Sequence, residues 1–319
     1  MYKVLIPKAL SNTGVEYLRK KGCEVLLGAP ASPDDPRLET CDAILAGAGS
    51  KIIYDKAVLD RCVRCKIIAN FSAGFEHIDA AYAEKAGIQV TNSGTANSNA
   101  VAEQTILLLL SCAKNQGIMS NAARRGDFAV RKRVLNTELT GATLGLVGCG
   151  NIGRLVAQKA IQGFGMKVIA YAPHLTKDNA PEGVEPVSSS SEIYKNADYI
   201  SLHVPLTEET RYMVSKDQFD MMKPTAYIIN VSRGGIIKEE DLIQAIRENK
   251  IKGAGLDVFE KEPLPPDSVL SQYENIILSP HSAANTRQAL ENMELYAAMD
   301  IWRVLNGEKP EFPVNHPFR

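Results

Sequence analysis

Short, nearly continuous apolar runs alternate along the chain with segments whose apolar positions recur at helical spacing. Lys3–Ile6 reads as a strand, and Ser11–Gly22 as a helix opened by Ser and Asn and stopped by Gly. Cys23–Leu27, Ala43–Ala46, Ile67–Asn70 and Ile88–Thr91 continue the strand series, with helical patterns at Asp55–Asp60 and Asp79–Ala86. Strands without a polar side, separated by helices, predict a parallel sheet covered on both faces. Asn97–Asn115 then reads as a long helix capped by Asn97 or Ser98. A second series follows: Ala142–Val147, Lys167–Tyr171, Asp198–Leu202, Ala226–Asn230, Ile251–Leu256 and Asn275–Leu278. A closing helix spans Asn285–Asn306, Pro30–Pro36 reads as a loop, and Ser188–Ser191 as a helix cap. The pattern predicts an α/β protein of two doubly wound parallel-sheet domains.

Composition narrows the class without naming a chemistry. The 319 residues suit two domains. Lys and Arg total 36 against 37 Asp and Glu, a net charge of −1, which argues against a nucleic-acid face or a polybasic membrane patch. No apolar stretch approaches the ~20 residues of a spanning helix. The opening MYKVLIP runs directly into a strand without a signal-peptide pattern, and six cysteines are too few for a disulfide scaffold. A cytoplasmic protein is expected.

The first motif with chemistry is Gly148-Cys-Gly-Asn-Ile-Gly153, between the strand Thr143–Val147 and the helical run Arg154–Gly163. A lone GxGxxG is weak, but this one sits in a strand–turn–helix–strand context. Gly148 permits the tight turn, Gly150 lets a pyrophosphate approach the backbone, and Gly153 lets helix and strand pack closely. The acidic residue that would meet an adenosine ribose at the end of the next strand is missing: Ala172 stands there. His174 and Lys177 follow and can attract a 2′-phosphate, so NAD and NADP both stay open.

Three further segments end on strands of the second series. Arg233 sits on a glycine-flanked turn, Asp257 and Glu262 lie in Gly255–Pro263, and His281 follows Pro280. Ketone reduction by hydride needs a proton donor, and His is well suited to it. A neighbouring carboxylate orients the imidazole, and a guanidinium can grip a carboxylate as a fork. Glu260 is a rival to Glu262 for the carboxylate role.

These segments, with NFSAGFEHID (Asn70–Asp79), TNSGTANSNAVAE (Thr91–Glu103) and LHVPLTEET (Leu202–Thr210), run nearly end to end along the chain. In them the sequence resembles the D-isomer-specific 2-hydroxyacid dehydrogenases, including the glyoxylate/hydroxypyruvate reductase and phosphoglycerate dehydrogenase types without a regulatory domain. The resemblance implies a flavodoxin-like substrate domain of residues 1–99 plus 285–319, interrupted by a Rossmann NAD(P)-binding domain of residues 100–284. It implies hydride transfer between a nicotinamide and a small 2-oxo or D-2-hydroxy acid, with His281 as acid/base, Glu262 as its partner and Arg233 binding substrate. The Ala73 and Gly74 amides would hold the substrate carboxylate. Implied cofactor contacts are Thr105, Gly148, Gly150, Asn151, Ile152, Gly153, Ala172, His174, His203, Val204, Pro205, Thr210, Val231, Ser232, Asp257 and Ala283. A homodimer packed through the Asn97–Asn115 helix is also implied, with domain closure over substrate.

The sequence departs from that family's pattern at Ala172, at Glu76 in place of Asp, and at Ser282-Ala283 in place of Ile-Gly. Relatives of this fold that act as dinucleotide-sensing co-repressors, and phosphite-type dehydrogenases, stand as alternatives. Cys62-Val-Arg-Cys65, with Cys41 upstream, lacks the second pair a metal site needs, so structural thiols and no metal are expected. Cys149 reads as a packing residue, open to oxidation when the turn is empty, and His77 as structural. The small residues Gly47–Ser50 would leave room for a substrate substituent.

Overall fold

A computed structural model of the chain describes residues 1–28, 33–47 and 52–317. The chain divides into two compact units, one of Met1–Asn97 with Asn285–Arg319 and one of Ser98–Ala284.

The first unit contains β1 (Lys3–Ile6), α1 (Thr13–Lys20), β2 (Glu24–Leu27), α2 (Arg37–Thr40), β3 (Ala43–Ala46), α3 (Lys56–Leu59), β4 (Ile67–Asn70), α4 (Ala80–Lys85) and β5 (Gln89–Thr91). Its five strands are parallel in the order β2-β1-β3-β4-β5. β3 and β4 are buried at every position, which is why they read as unbroken apolar runs. Asp55 and Asp79 cap α3 and α4, each accepting the amide three residues on. The last helix, Arg287–Leu305, packs in this unit against α1 and β3–β5. Beyond it the tail closes the free edge of β5: Val314 N–H donates to Val90 O, and Asn315 Oδ1 accepts from Val90 N–H.

The second unit begins with α5 (Ser98–Ala113) and α6 (Gln116–Arg124), then β6 (Thr143–Val147), α7 (Asn151–Phe164), β7 (Lys167–Tyr171) and β8 (Val184–Pro186). It continues with α8 (Ser190–Asn196), β9 (Tyr199–Leu202), α9 (Lys216–Met221), β10 (Tyr227–Asn230), α10 (Glu239–Arg247), β11 (Gly253–Leu256) and β12 (Ile276–Leu278). All seven strands are parallel, in the order β12-β11-β10-β9-β6-β7-β8. α5 is buried along most of its length; Leu108 and Leu109 alone each contribute about 2 kcal/mol by leaving water.

The sequence pattern leaves several elements unassigned. β8 is a short edge strand containing Pro186, α6 and α9 each bury a single residue, Ala122 and Phe219, and α10 is marked by Leu242, Ala245 and Ile246 at helical spacing. α7 starts at Asn151, three residues before the apolar run, because Gly150 serves as its cap. The serine tract does open α8, although the contact made is from Ser188 to Glu192 Oε1. Part of the Pro30–Pro36 loop, residues 30–32, lies outside the described residues.

Candidate active site

Because all strands of the seven-stranded sheet are parallel, the segments after β6, β7, β9, β10, β11 and β12 leave from one edge. β6 and β9 are neighbours although the chain visits β7 and β8 between them, so the sheet reverses its order there. Ligands of open α/β sheets bind at such a point.

The glycine turn after β6 is shaped by close approach. Gly148 has φ +98°, and a Cβ there would stand 2.4 Å from the His203 carbonyl oxygen after β9. A Cβ on Gly153 would stand 2.6 Å from the Gly148 oxygen. At Gly150 a Cβ would meet no heavy atom within 4 Å, so the backbone there faces open space. Gly150 caps α7 without a side-chain bond, which leaves the amides of Asn151, Ile152 and Gly153 without a capping acceptor. An open backbone at an uncapped helix N-terminus fits a dinucleotide pyrophosphate.

His203 is half-buried with Nε2 2.9 Å from Ser201 Oγ, while its buried Nδ1 has no partner among the described residues. Burial lowers its pKa to about 4, which keeps the imidazole neutral near pH 7. The adjoining Val204–Thr210 loop is closed by the Thr210 hydroxyl donating to Pro205 O at 2.6 Å. Thr105 lies wholly buried in α5 and donates its hydroxyl to Val101 O.

After β7, Ala172 is half-buried and His174 and Lys177 are exposed. The turn is tied by Asn179, which donates to His174 O at 2.8 Å and accepts Arg154 on its own carbonyl at 2.9 Å. Sequence reasoning missed Arg154: it belongs to α7, and only the fold carries it to the turn after β7.

β10, β11 and β12 are adjacent and carry the remaining candidates. His281 Nδ1 lies 2.7 Å from Glu262 Oε2; a carboxylate only accepts, so the Nδ1 proton points to it and Nε2 is left for a reactant. The other Glu262 oxygen accepts the Phe259 N–H. Glu260 is engaged elsewhere, accepting the Glu239 N–H at the start of α10 and the Tyr212 hydroxyl. His281 has φ +48°, a conformation that costs a non-glycine residue about 1–2 kcal/mol. Asp257 holds it there. Its carbonyl accepts the His281 N–H, and its fully buried carboxylate accepts Ser282 N–H, Ala283 N–H and the Ser279 hydroxyl. Gln104 of α5 donates to the same Ser279 hydroxyl, a contact with no motif of its own. Arg233 donates to Ser232 O at 2.8 Å. Its turn is clamped by buried Asn230, which donates to Arg233 O and accepts Ser232 N–H, while Ser232 Oγ donates to Leu202 O. Val231 is buried beneath them.

In the first unit, the Ala73–Gly74 segment follows β4, with Ala73 exposed. His77 is half-buried; burial lowers its pKa against the opposing pull of Glu76, and its Nε2 has no partner among the described residues. A Cβ on Gly47 would run into the Phe71 ring, and residues 48–50, the rest of the small-residue segment, lie outside the described residues. All six cysteines are reduced and buried. Burial pushes the Cys149 thiol up, so its sulfur is held as the less reactive thiol. Among the described residues no His, Cys, Asp or Glu cluster could hold a metal, and no helix is long and apolar enough to cross a membrane.

Comparison with known proteins fits this geometry. The family model described as D-isomer specific 2-hydroxyacid dehydrogenase, NAD binding domain, matches residues 106–283. The chain is 38% identical over 319 residues to D-3-phosphoglycerate dehydrogenase of Methanocaldococcus jannaschii, with 99% of the chain aligned to 60% of that relative. It is 36% identical over 283 residues to glyoxylate reductase of Korarchaeum cryptofilum, covering 88% of this chain and 84% of that one. The structure of D-lactate dehydrogenase with NAD+ from Lactobacillus jensenii superposes with a TM-score of 0.84 at 28% identity, covering 98% and 100% of the two chains. Two phosphoglycerate dehydrogenases among its relatives are longer, and the chain spans 60% and 59% of their lengths. On the family model and these identities, the chain belongs to the D-isomer specific 2-hydroxyacid dehydrogenase family.

Proposed function

We propose that the protein reduces a small 2-oxo acid to the D-2-hydroxy acid, and catalyses the reverse oxidation, with NAD(H) or NADP(H). The observation that carries this reading is the 2.7 Å contact of His281 Nδ1 with Glu262, made on a turn that Asp257 locks in place. When bound, the nicotinamide supplies or takes up the hydride. Arg233 holds the acid and polarises its carbonyl, and the Ala73 and Gly74 amides take the carboxylate. His281 donates its Nε2 proton to the carbonyl oxygen, which becomes the hydroxyl, and recovers that proton in the reverse direction. Glu262 keeps the imidazole oriented and stabilises its protonated form.

NADP use is supported by Ala172, Arg154, His174 and Lys177 around the turn after β7, where no carboxylate opposes a 2′-phosphate at the strand end. Relatives named glyoxylate reductase support a small substrate, and an NAD+ complex of a structural neighbour supports NAD. A cytoplasmic homodimer remains part of this proposal.

The test is a panel of 2-oxo acids assayed with NADH and with NADPH, for the native protein and His281→Ala. Native turnover on at least one small 2-oxo acid is expected, with a loss of about 10²–10⁴-fold in the variant and unchanged cofactor binding. Turnover that survives in His281→Ala would reject the mechanism. Activity on phosphite instead of every 2-oxo acid would reject the substrate class.

A further inference from the structure

We infer that Asn70 and Asn92 are positioning residues that set the Ala73 and Gly74 N–H groups as a two-donor nest for a carboxylate. The inference deepens the proposed function and rests on its reading of that segment. In a trans peptide the C=O of one residue and the N–H of the next point in opposite directions. Whatever captures the Ser72 carbonyl therefore aims the Ala73 N–H, and whatever captures the Ala73 carbonyl aims the Gly74 N–H. Asn70 captures the first: its Nδ2 donates to Ser72 O at 2.9 Å and to Gly74 O at 2.7 Å. Asn92 captures the second, with Nδ2 donating to Ala73 O at 3.2 Å. Among the described residues, neither the Ala73 nor the Gly74 N–H donates a hydrogen bond. Adjacent backbone amides left unpaired are the donors that backbone nests use to capture carboxylates.

Both asparagines are themselves fixed. Asn70 ends β4 and is fully buried, a place where an amide survives only if bonded. Asn92 follows β5 and is held on three sides. Its N–H donates to Phe312 O at 3.2 Å, its Oδ1 accepts the Gly94 N–H at 3.0 Å, and Ser93 N–H adds a bond to Ser72 O. The Phe312 ring stacks on Tyr296 and lies where a Cβ of Gly94 would stand. The same device recurs in the other unit. Asn70-Phe-Ser-Ala-Gly74 and Asn230-Val-Ser-Arg-Gly234 share the pattern Asn-x-Ser-x-Gly at the end of a buried strand. In both, the asparagine amide donates to a carbonyl of its own turn.

The experiment titrates oxamate, a non-reducible 2-oxo acid mimic, into ¹⁵N-labelled protein with saturating NADH and follows the Ala73 and Gly74 amides. Native protein, Asn92→Asp, Asn92→Ala and Asn70→Ala are compared, with thermal melting as the folding control. Asn92→Asp keeps the acceptor for Gly94, loses the donor to Ala73 and adds a charge, and Asn92→Ala removes the same donor without the charge, so a loss of affinity shared by both reports the donor even where Asn70→Ala fails to fold. Both amides are expected to shift in the native protein, and the oxamate dissociation constant to rise about tenfold or more in Asn92→Asp. In turnover the same variant is expected to raise the 2-oxo acid KM about tenfold while kcat and the cofactor KM change far less. Native amides that do not respond, or equal affinity in Asn92→Asp, overturn the inference. Amides that respond in a protein that turns over no 2-oxo acid leave the nest standing and sink the proposed activity.

Discussion

His203 is the imidazole whose protonation its surroundings set most strongly, and the consequence is measurable. Burial holds the native group near a pKa of 4, against 6.5 for an imidazole in the unfolded chain. Between those values the unfolded chain binds a proton that the native state refuses. Stability therefore rises with pH across this window and falls as pH drops from 6.5 toward 4. Between pH 7 and pH 5 the loss attributable to His203 is about 2 kcal/mol. Urea denaturation of native protein and His203→Gln at those two pH values should show a steeper fall in the native protein, and parallel falls would assign the effect to other groups. At the same scale, Glu262 and Glu260 are two residues apart and chemically identical, and in the sequence only the resemblance, with its glutamate immediately before the proline, favours Glu262. The geometry agrees, because Glu260 is occupied at the start of α10.

At the scale of elements, the turns after β10 and β11 are packed backbone on backbone. A Cβ on Gly234 would fall 1.9 Å from the Phe259 carbonyl carbon and oxygen, and neither can move without shifting the turns that carry Arg233 and Glu262. Gly234→Ala is expected to cost about 2–4 kcal/mol and more than tenfold in kcat/KM. Gly163→Ala, near the end of α7 where a Cβ meets nothing, should be neutral or stabilising by up to about 1 kcal/mol. Chemical denaturation of the two variants checks the contrast; equal effects would mean that close approach at Gly234 is not what demands glycine. The strands and long helices were legible because burial on both faces leaves an unbroken apolar run. β8 was not, being short and at the sheet edge, and neither was the short α9, whose one local signal is the capping box of Ser215 and Gln218.

At the scale of the whole molecule, the features assigned to the dinucleotide lie in the unit Ser98–Ala284. A ligand that binds one native unit stabilises that unit by mass action, by about 2.7 kcal/mol at a concentration of 100 times its dissociation constant. Hydrogen exchange with NADH alone should therefore slow most in β6, α7 and β9, with β1–β5 changing little. Equal slowing in both units would show that the cofactor is not held by the glycine turn alone. The balanced charge of the chain is consistent with the proposed local handling of anions by backbone amides, one helix end and a few guanidinium groups.

By itself the sequence determined the alternation of strands and helices and the glycine turn, and it offered Arg233, Glu262 and His281 as candidates, because these are short-range patterns of burial and chemistry. The repeated Asn-x-Ser-x-Gly segments were also present in it, but at a separation that no short period reveals. Tertiary structure alone decided that Arg154 reaches the turn after β7 and that Asn70, Asn92 and Phe312 converge on one loop. The physical reason is that a residue's type is local, whereas the direction of a carbonyl or an amide depends on strands and tails brought together from distant parts of the chain.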